Sequence, residues 1–167
     1  LKEVIEKPIQ NSDVTFEVGL VERILDDIDD QPGNLPLLEF ALTELWSQRN
    51  SATLSHNTYE TIGGVEGALA RHANQIYSKF TAKDKKKIKQ IFIQLVYPEK
   101  TKKDSRRSAT KKELGGDNSW HLVTDLADYR LIVTSCNFQG EEIVELAHES
   151  LIYYWNTLEE WINESRQ

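Results

Sequence analysis

The most concentrated chemistry in this sequence is cationic. Between Lys83 and Lys112 the chain carries Lys85, Lys86, Lys89, Lys103, Arg106 and Arg107 among further lysines, against only Asp84, Glu99 and Asp104. Clustered ammonium and guanidinium groups are what a phosphate backbone or an acidic partner selects. The same cluster suits a plain solvated face, which is the favoured reading, with docking to a partner or to another part of the protein second and nucleic acid third. The formal net charge of -7 argues against a surface given over to nucleic acid or anionic membrane. Asp117, Asp125 and Asp128, set against Arg130, would repel DNA on the helix best placed to enter a groove.

Other chemistries lack their residues. A catalytic phosphate-binding loop needs Gly-x-x-x-x-Gly-Lys-Ser/Thr, so that backbone amides wrap the phosphates while the lysine and hydroxyl reach them and Mg²⁺. The sequence has no such stretch, no His-Glu-x-x-His zinc helix and no Gly-x-Ser-x-Gly nucleophile turn. The chain alone is therefore not expected to hydrolyse nucleotide, and no metal site is expected. Cys136 is the single cysteine, too few for an intramolecular disulfide, and a reducing compartment such as the cytoplasm is the natural expectation. No run approaches the roughly 18 consecutive apolar residues of a membrane span. The chain has no methionine, even at position 1, which predicts a domain excised from a longer protein.

The elements that must position these groups follow from hydrophobic period. A short helix is expected within 1–8, then extended chain at 14–17. Leu20, Val21, Ile24, Leu25 and Ile28 recur at steps of three and four, one face of a helix. Pro32-Gly33-Asn34 has turn chemistry, and a helix over 35–48 follows with Pro36 in its first turn, where a missing N–H costs nothing. A polar connector, 49–57, leads to a short helix over 58–62, the break Gly63-Gly64, and a helix over 65–80 with Val65, Ala68, Leu69, Ala73 and Ile76 inward. The two glycines read more readily as a cap and turn than as a nucleotide-approaching loop.

Thr81 opens a helix over 82–97 that Pro98 closes, and 99–109 reads as a lysine-rich loop with a short strand at 106–109. Thr110-Lys-Lys-Glu113 is a capping-box pattern opening a short helix that Gly115-Gly116 ends. A helix over 118–129 precedes two β-rich runs, 131–135 and 143–146, joined at Asn137-Phe-Gln-Gly140 as a hairpin. A last helix, 148–165, buries Leu151, Trp155, Leu158 and Ile162. Trp46, Trp120, Trp155 and Trp161 are assigned to core or interdomain packing, with Trp161 facing a neighbouring domain. The order helix, short helix, helix, hairpin, helix is that of a winged helix. The fold class is therefore mainly α: a helical bundle over 1–80, then a winged-helix domain over 81–167 with a small β-hairpin.

Four stretches are specific enough to resemble a known family: Pro32-Gly33-Asn34-Leu35-Pro36-Leu37-Leu38-Glu39-Phe40-Ala41-Leu42, then Leu45-Trp46, then Tyr59-x-x-Ile62-Gly63-Gly64-Val65-x-Gly67-Ala68-Leu69-Ala70, and Val144-Glu145-Leu146-Ala147-His148-Glu149-Ser150-Leu151-Ile152 with Trp155. Together they resemble bacterial STAND signal-transduction NTPases, in the form that precedes WD repeats in cyanobacteria. The resemblance implies that an upstream AAA-like nucleotide-binding domain and downstream sensor repeats flank this segment. It also implies that an AAA-like helical lid and a winged helix close over ADP and hold the protein off. ADP or ATP would then be shared with the upstream domain rather than bound tightly here.

Residue by residue, the resemblance puts Pro36 at the lid proline that packs near adenine and His148 at the histidine that contacts the β-phosphate. The motif around the histidine is Ala-His-Glu where apoptotic and plant immune switches have Met-His-Asp. A histidine in the first turn of a helix would lie beside free amides and the positive end of the helix dipole, a natural place for phosphate.

Overall fold

The computed structural model describes residues 2–6, 10, 12–28, 34–49, 51–98 and 104–166. The chain is mainly helical with short sheets, and it divides into two compact units, 1–72 and 73–167.

In the first unit, α1 (Lys2–Glu6) and β1 (Thr15–Phe16) precede α2 (Leu20–Ile28), whose Leu20, Val21, Ile24 and Ile28 are all buried. The stripe therefore faces the core as its spacing predicts. Pro32 and Gly33 of the expected turn, and Asp29 and Asp30 before them, lie outside the described residues. Helix α3 (Asn34–Ser47) places Leu37, Leu38, Ala41 and Leu45 inside, while Trp46 stays 39% exposed under the Arg49 guanidinium rather than entering the core. The connector that follows contains a strand the hydrophobic pattern missed: β2 (Thr53–Leu54) pairs in parallel with β1, Thr15 opposite Thr53 and Phe16 opposite Leu54. Parallel pairing joins segments far apart in sequence, so no local turn signal announces it.

Ser55 caps α4 (His56–Thr61), its hydroxyl accepting from the Thr58 amide at 3.1 Å. The Tyr59 ring is buried, and its hydroxyl donates to Asp27 at 2.5 Å, tying α4 to α2. Burial first, and the Asp27 carboxylate second, hold that phenol well above the ordinary tyrosine range. Gly63 and Gly64 turn the chain with φ of 80° and 70°, so this pair is a turn between helices. Helix α5 (Gly64–Ser78) follows, and the division between the two units falls within it.

In the second unit, the Thr81 hydroxyl caps α6 (Ala82–Gln94) by accepting from the Asp84 amide. That helix ends three residues before the expected boundary at 97, because Val96 and Tyr97 form β3 and pair antiparallel with β4 (Ser105–Arg106). Strand formation, rather than Pro98, stops it. The capping box at Thr110 forms as its pattern predicts, with the Glu113 amide donating to Thr110 Oγ1 at 3.3 Å and the Thr110 amide to Glu113 Oε1 at 3.1 Å. Only turns follow it, however. The chain closes on itself at Leu114 to Gly116 instead of making the expected short helix, and Gly115 and Gly116 at φ of 95° and 64° redirect it.

Helix α7 (Asp117–Asp128) buries Leu122, Val123 and Leu126. Arg130 then takes a left-handed φ of 63° and the Leu131 amide bonds back to the Leu126 carbonyl, which ends the helix and aims the chain into β6 (Ile132–Cys136). Strand β7 (Glu142–Leu146) returns antiparallel, and β5 (Ala109–Thr110) pairs with its other side, giving the order β5-β7-β6.

The expected last helix is two helices. Helix α8 (Ser150–Tyr154) and α9 (Asn156–Ser165) meet at Trp155, whose φ of -94° and ψ of 98° break the helical path. Behind that corner an aromatic cluster forms the core. Trp155 meets Phe92 at 5.2 Å, Trp161 at 5.5 Å and Tyr77 at 6.3 Å between ring centroids, mostly edge to face. Trp161 is buried within this cluster and so does not present itself to a neighbouring domain. Among the described residues no helix is long and apolar enough to cross a membrane.

Candidate functional site

The corner between β7 and α8 is where chemistry and architecture meet. His148 does not open a helix, as its sequence position suggested; it sits two residues ahead of α8 and is only 3% exposed. Helix α8 has five residues, and its amides at Leu151 and Ile152 are taken by the carbonyls of His148 and Glu149. The first-turn geometry assumed for a phosphate contact is thus replaced by a buried imidazole on a short connecting turn.

The backbone on either side of that imidazole is fixed. Ala147 N–H donates to the Leu131 carbonyl at 3.0 Å, and the Arg106 guanidinium donates to the Leu146 carbonyl at 3.2 Å. Beyond α8, the Trp155 indole N–H donates to Asn74 Oδ1 at 2.7 Å, while the Tyr153 hydroxyl donates to the Asp104 carbonyl and the Arg166 guanidinium pairs with the Asp104 carboxylate. His148 thus lies between backbone that is tied to Leu131 and Arg106 on one side and a helix corner tied to Asn74 and Asp104 on the other.

Pro36 lies in the first turn of α3, at the third residue. It belongs to the first unit and His148 to the second.

The basic cluster is distributed rather than gathered into one cationic face. Lys85 lies over the Tyr77 ring at 5.3 Å, and Lys89 pairs with Glu164 at 2.6 Å, joining α6 to α9. Arg107 donates to the Gln94 carbonyl at 2.9 Å, closing the C-terminal end of α6, and pairs with Glu113. Lys111 is held between Asp117 at 2.9 Å and Glu142 at 3.3 Å and lies over the Trp120 ring. Lys86 is exposed on α6, and Lys103 lies outside the described residues. Helix α7 turns Asp117, His121, Thr124, Asp125 and Asp128 to solvent, so the exposed face of that helix is acidic. Among the described residues no three His, Cys, Asp or Glu side chains come together as a metal site would require.

These ties give the cluster a structural use that composition does not reveal. The Arg107 guanidinium first, and the Thr110 amide second, hold the Glu113 carboxyl below the ordinary glutamate range. A carboxyl depressed in the folded state adds stability that is complete above its unfolded value of about 4.5 and lost as pH falls through the lower folded value. Glu113→Gln should therefore lower stability slightly at neutral pH and flatten the loss as pH falls below about 4.5, since both partners are partly exposed and solvent screens the pair. Urea denaturation at a series of pH values reads this directly, and parallel profiles for the two proteins would exclude the role.

A family model described as novel STAND NTPase 1 (nSTAND1) matches residues 1–167. Neither a curated protein nor a solved structure matches the chain.

Proposed function

We propose, from the premise that this chain belongs to the novel STAND NTPase 1 family, that it is the regulatory part of a nucleotide switch rather than its catalytic part. The observation that carries this reading is that the family match covers all of residues 1–167, while the sequence has no Gly-x-x-x-x-Gly-Lys-Ser/Thr loop. Residues 1–80 act as an AAA-like lid bundle and 81–167 as a winged helix. The order α6, β5, α7, β6, β7, with β5 on the far side of the hairpin, supports the second assignment. An upstream nucleotide-binding domain and downstream sensor repeats, of the WD type found in cyanobacterial relatives, complete a cytoplasmic protein. ADP held between the upstream domain and this segment keeps it closed.

Pro36 packs near the adenine and His148 serves as the phosphate latch. Because His148 is buried here, the latch reading requires a second state in which the imidazole turns outward. Seated in its own unit, the imidazole is buried at the β7–α8 corner; turned outward, it meets the β-phosphate. A contact made in only one state is what coupling requires.

The test is ADP release from a longer version of the protein that carries the nucleotide-binding domain. His148→Ala should release ADP roughly tenfold faster, about 1.4 kcal/mol. Equal release rates in the two proteins would remove the latch and leave the family assignment standing. DNA binding through the lysine cluster is the weaker reading, because Lys85, Lys89, Arg106, Arg107 and Lys111 all have internal partners and the exposed face of α7 is acidic.

A further inference from the structure

The three-stranded sheet of the second unit ends in an open edge. Strand β6 is last in the order β5-β7-β6, so one of its sides has no neighbour in that sheet. The bonds at its two ends fix which backbone groups lie on that side. Leu131 accepts from the Ala147 amide and the Asn137 amide donates to the Glu141 carbonyl, both at 3.0 Å. Backbone groups alternate along a strand, so Leu131, Val133, Ser135 and Asn137 address β7 while Ile132, Thr134 and Cys136 turn their N–H and C=O outward. Among the described residues none bonds to those outward groups. The side chains leave the edge uncovered as well: Val133, Thr134, Ser135 and Cys136 are exposed on both faces of the strand, and only Ile132 is buried.

Edge strands are ordinarily guarded by a charge, a proline or a bulge. This one has none of them. From Leu131 to Gly140 no residue is charged and none is proline, in a chain that is 28% charged. The register with β7 runs without a skip from Ile132 opposite Leu146 to Cys136 opposite Glu142, so no bulge twists the edge away. An occupant must bring outward-facing backbone groups and uncharged side chains.

The strand meets both demands itself. Set antiparallel to a second copy about a two-fold axis at Thr134, it places Thr134 opposite Thr134, Ile132 opposite Cys136 and Val133 opposite Ser135, and no charge opposes a like charge. Three residue pairs exchanging both bonds give roughly six main-chain hydrogen bonds. Phe138, wholly exposed at the hairpin turn, then comes to the end of the other strand, where Arg130 offers a cation to its ring.

We propose that β6 is a self-pairing edge, through which two copies of this chain join antiparallel strands centred on Thr134 into one six-stranded sheet. The pair is isologous and closes on itself, so it makes a dimer and no larger assembly. Five paired residues a side bury less than the about 1,200 Å² of a stable interface, so the association is weak and reversible. Each copy carries a net charge of -7, so added salt should strengthen it by screening the repulsion. This reading is independent of the nucleotide switch.

The test is sedimentation equilibrium of the 167-residue chain over about a hundredfold range of concentration. A monomer–dimer equilibrium that tightens with salt is expected. Thr134→Lys sets two ammonium groups face to face at an exposed position and should weaken the dimer at least tenfold, whereas Thr134→Val should leave it unchanged. The register has its own readout, which holds even if the lysine variant folds poorly. Opposed residues of a hydrogen-bonded pair have Cα atoms about 5.5 Å apart, within disulfide reach, whereas the two Cys136 residues lie four positions out of register, about 14 Å along the strands. Thr134→Cys with Cys136→Ser should therefore oxidise to a covalent dimer much faster than the native chain does. A chain that stays monomeric, a dimer indifferent to Thr134→Lys, oligomers beyond the dimer, or faster cross-linking through Cys136 would each overturn the proposal.

Discussion

Replacing Trp155 by alanine is expected to destabilise the second unit by about 3–5 kcal/mol, the range for deleting a fully buried large aromatic. Three contributions are lost together. The indole is 1% exposed and meets Phe92, Trp161 and Tyr77, so its removal leaves a cavity lined by rings that cannot all close inward. Its N–H no longer reaches Asn74 Oδ1. The corner between α8 and α9 also loses the side chain that anchors it. Trp155→Phe keeps most of the volume and should cost appreciably less, the difference including the indole hydrogen bond. Chemical denaturation followed by near-ultraviolet circular dichroism measures both, and a loss below about 1 kcal/mol for alanine would show that the cluster is not the core.

Gly67→Ala is the second large effect. A Cβ built at Gly67 would lie 2.1 Å from the Ile62 carbonyl oxygen and 3.0 Å from its carbon. Both are backbone atoms, so no rotamer change relieves the clash. The first turn of α5 would have to move away from the end of α4, breaking the bond from Gly67 N–H to the Gly63 carbonyl, at about 3 kcal/mol. Gly140→Ala is the control: its Cβ would meet nothing within 4 Å, and only its φ of 79° resists substitution, at about 1 kcal/mol. If the two variants melt together, the close approach of α4 and α5 is not what Gly67 serves.

Sequence pattern read the fold well wherever one element decides its own face. The steps of three and four from Leu20 to Ile28, and from Ile88 to Val96, land on residues that are buried almost without exception. Caps were equally legible, since Thr81, and Thr110 with Glu113, form their bonds inside four residues. What escaped was long-range. The strand at Thr53–Leu54 exists because of Thr15–Phe16, and Val96 leaves its helix because Arg106 is there to pair with it. The helix break at Trp155 follows from a side chain drawn inward by Phe92, Tyr77 and Trp161, none of which is its neighbour in sequence.

The candidate site divides in the same way. The residue types near His148 were legible from the motif, but its burial depends on strands and helices that converge only in three dimensions. The basic run from Lys83 to Arg107 gave a sound count of charge and a poor account of its use. Lys89, Arg106 and Arg107 each reach a partner on another element, and such partners cannot be seen along the chain.

The four tryptophans carry one more consequence. Trp46 is the single indole of the first unit and is 39% exposed, whereas Trp155 and Trp161 of the second are 1% and 7% exposed. Each unit therefore contains its own optical reporter. Red-edge emission that acrylamide quenches should come chiefly from Trp46, with a smaller share from the partly buried Trp120 of the second unit that Trp120→Phe removes, and the blue, quencher-resistant part from Trp155 and Trp161. Unfolding of the first unit by itself would move the accessible band and leave the protected one unchanged. With Trp120 replaced, the two units can be watched separately by their own fluorescence.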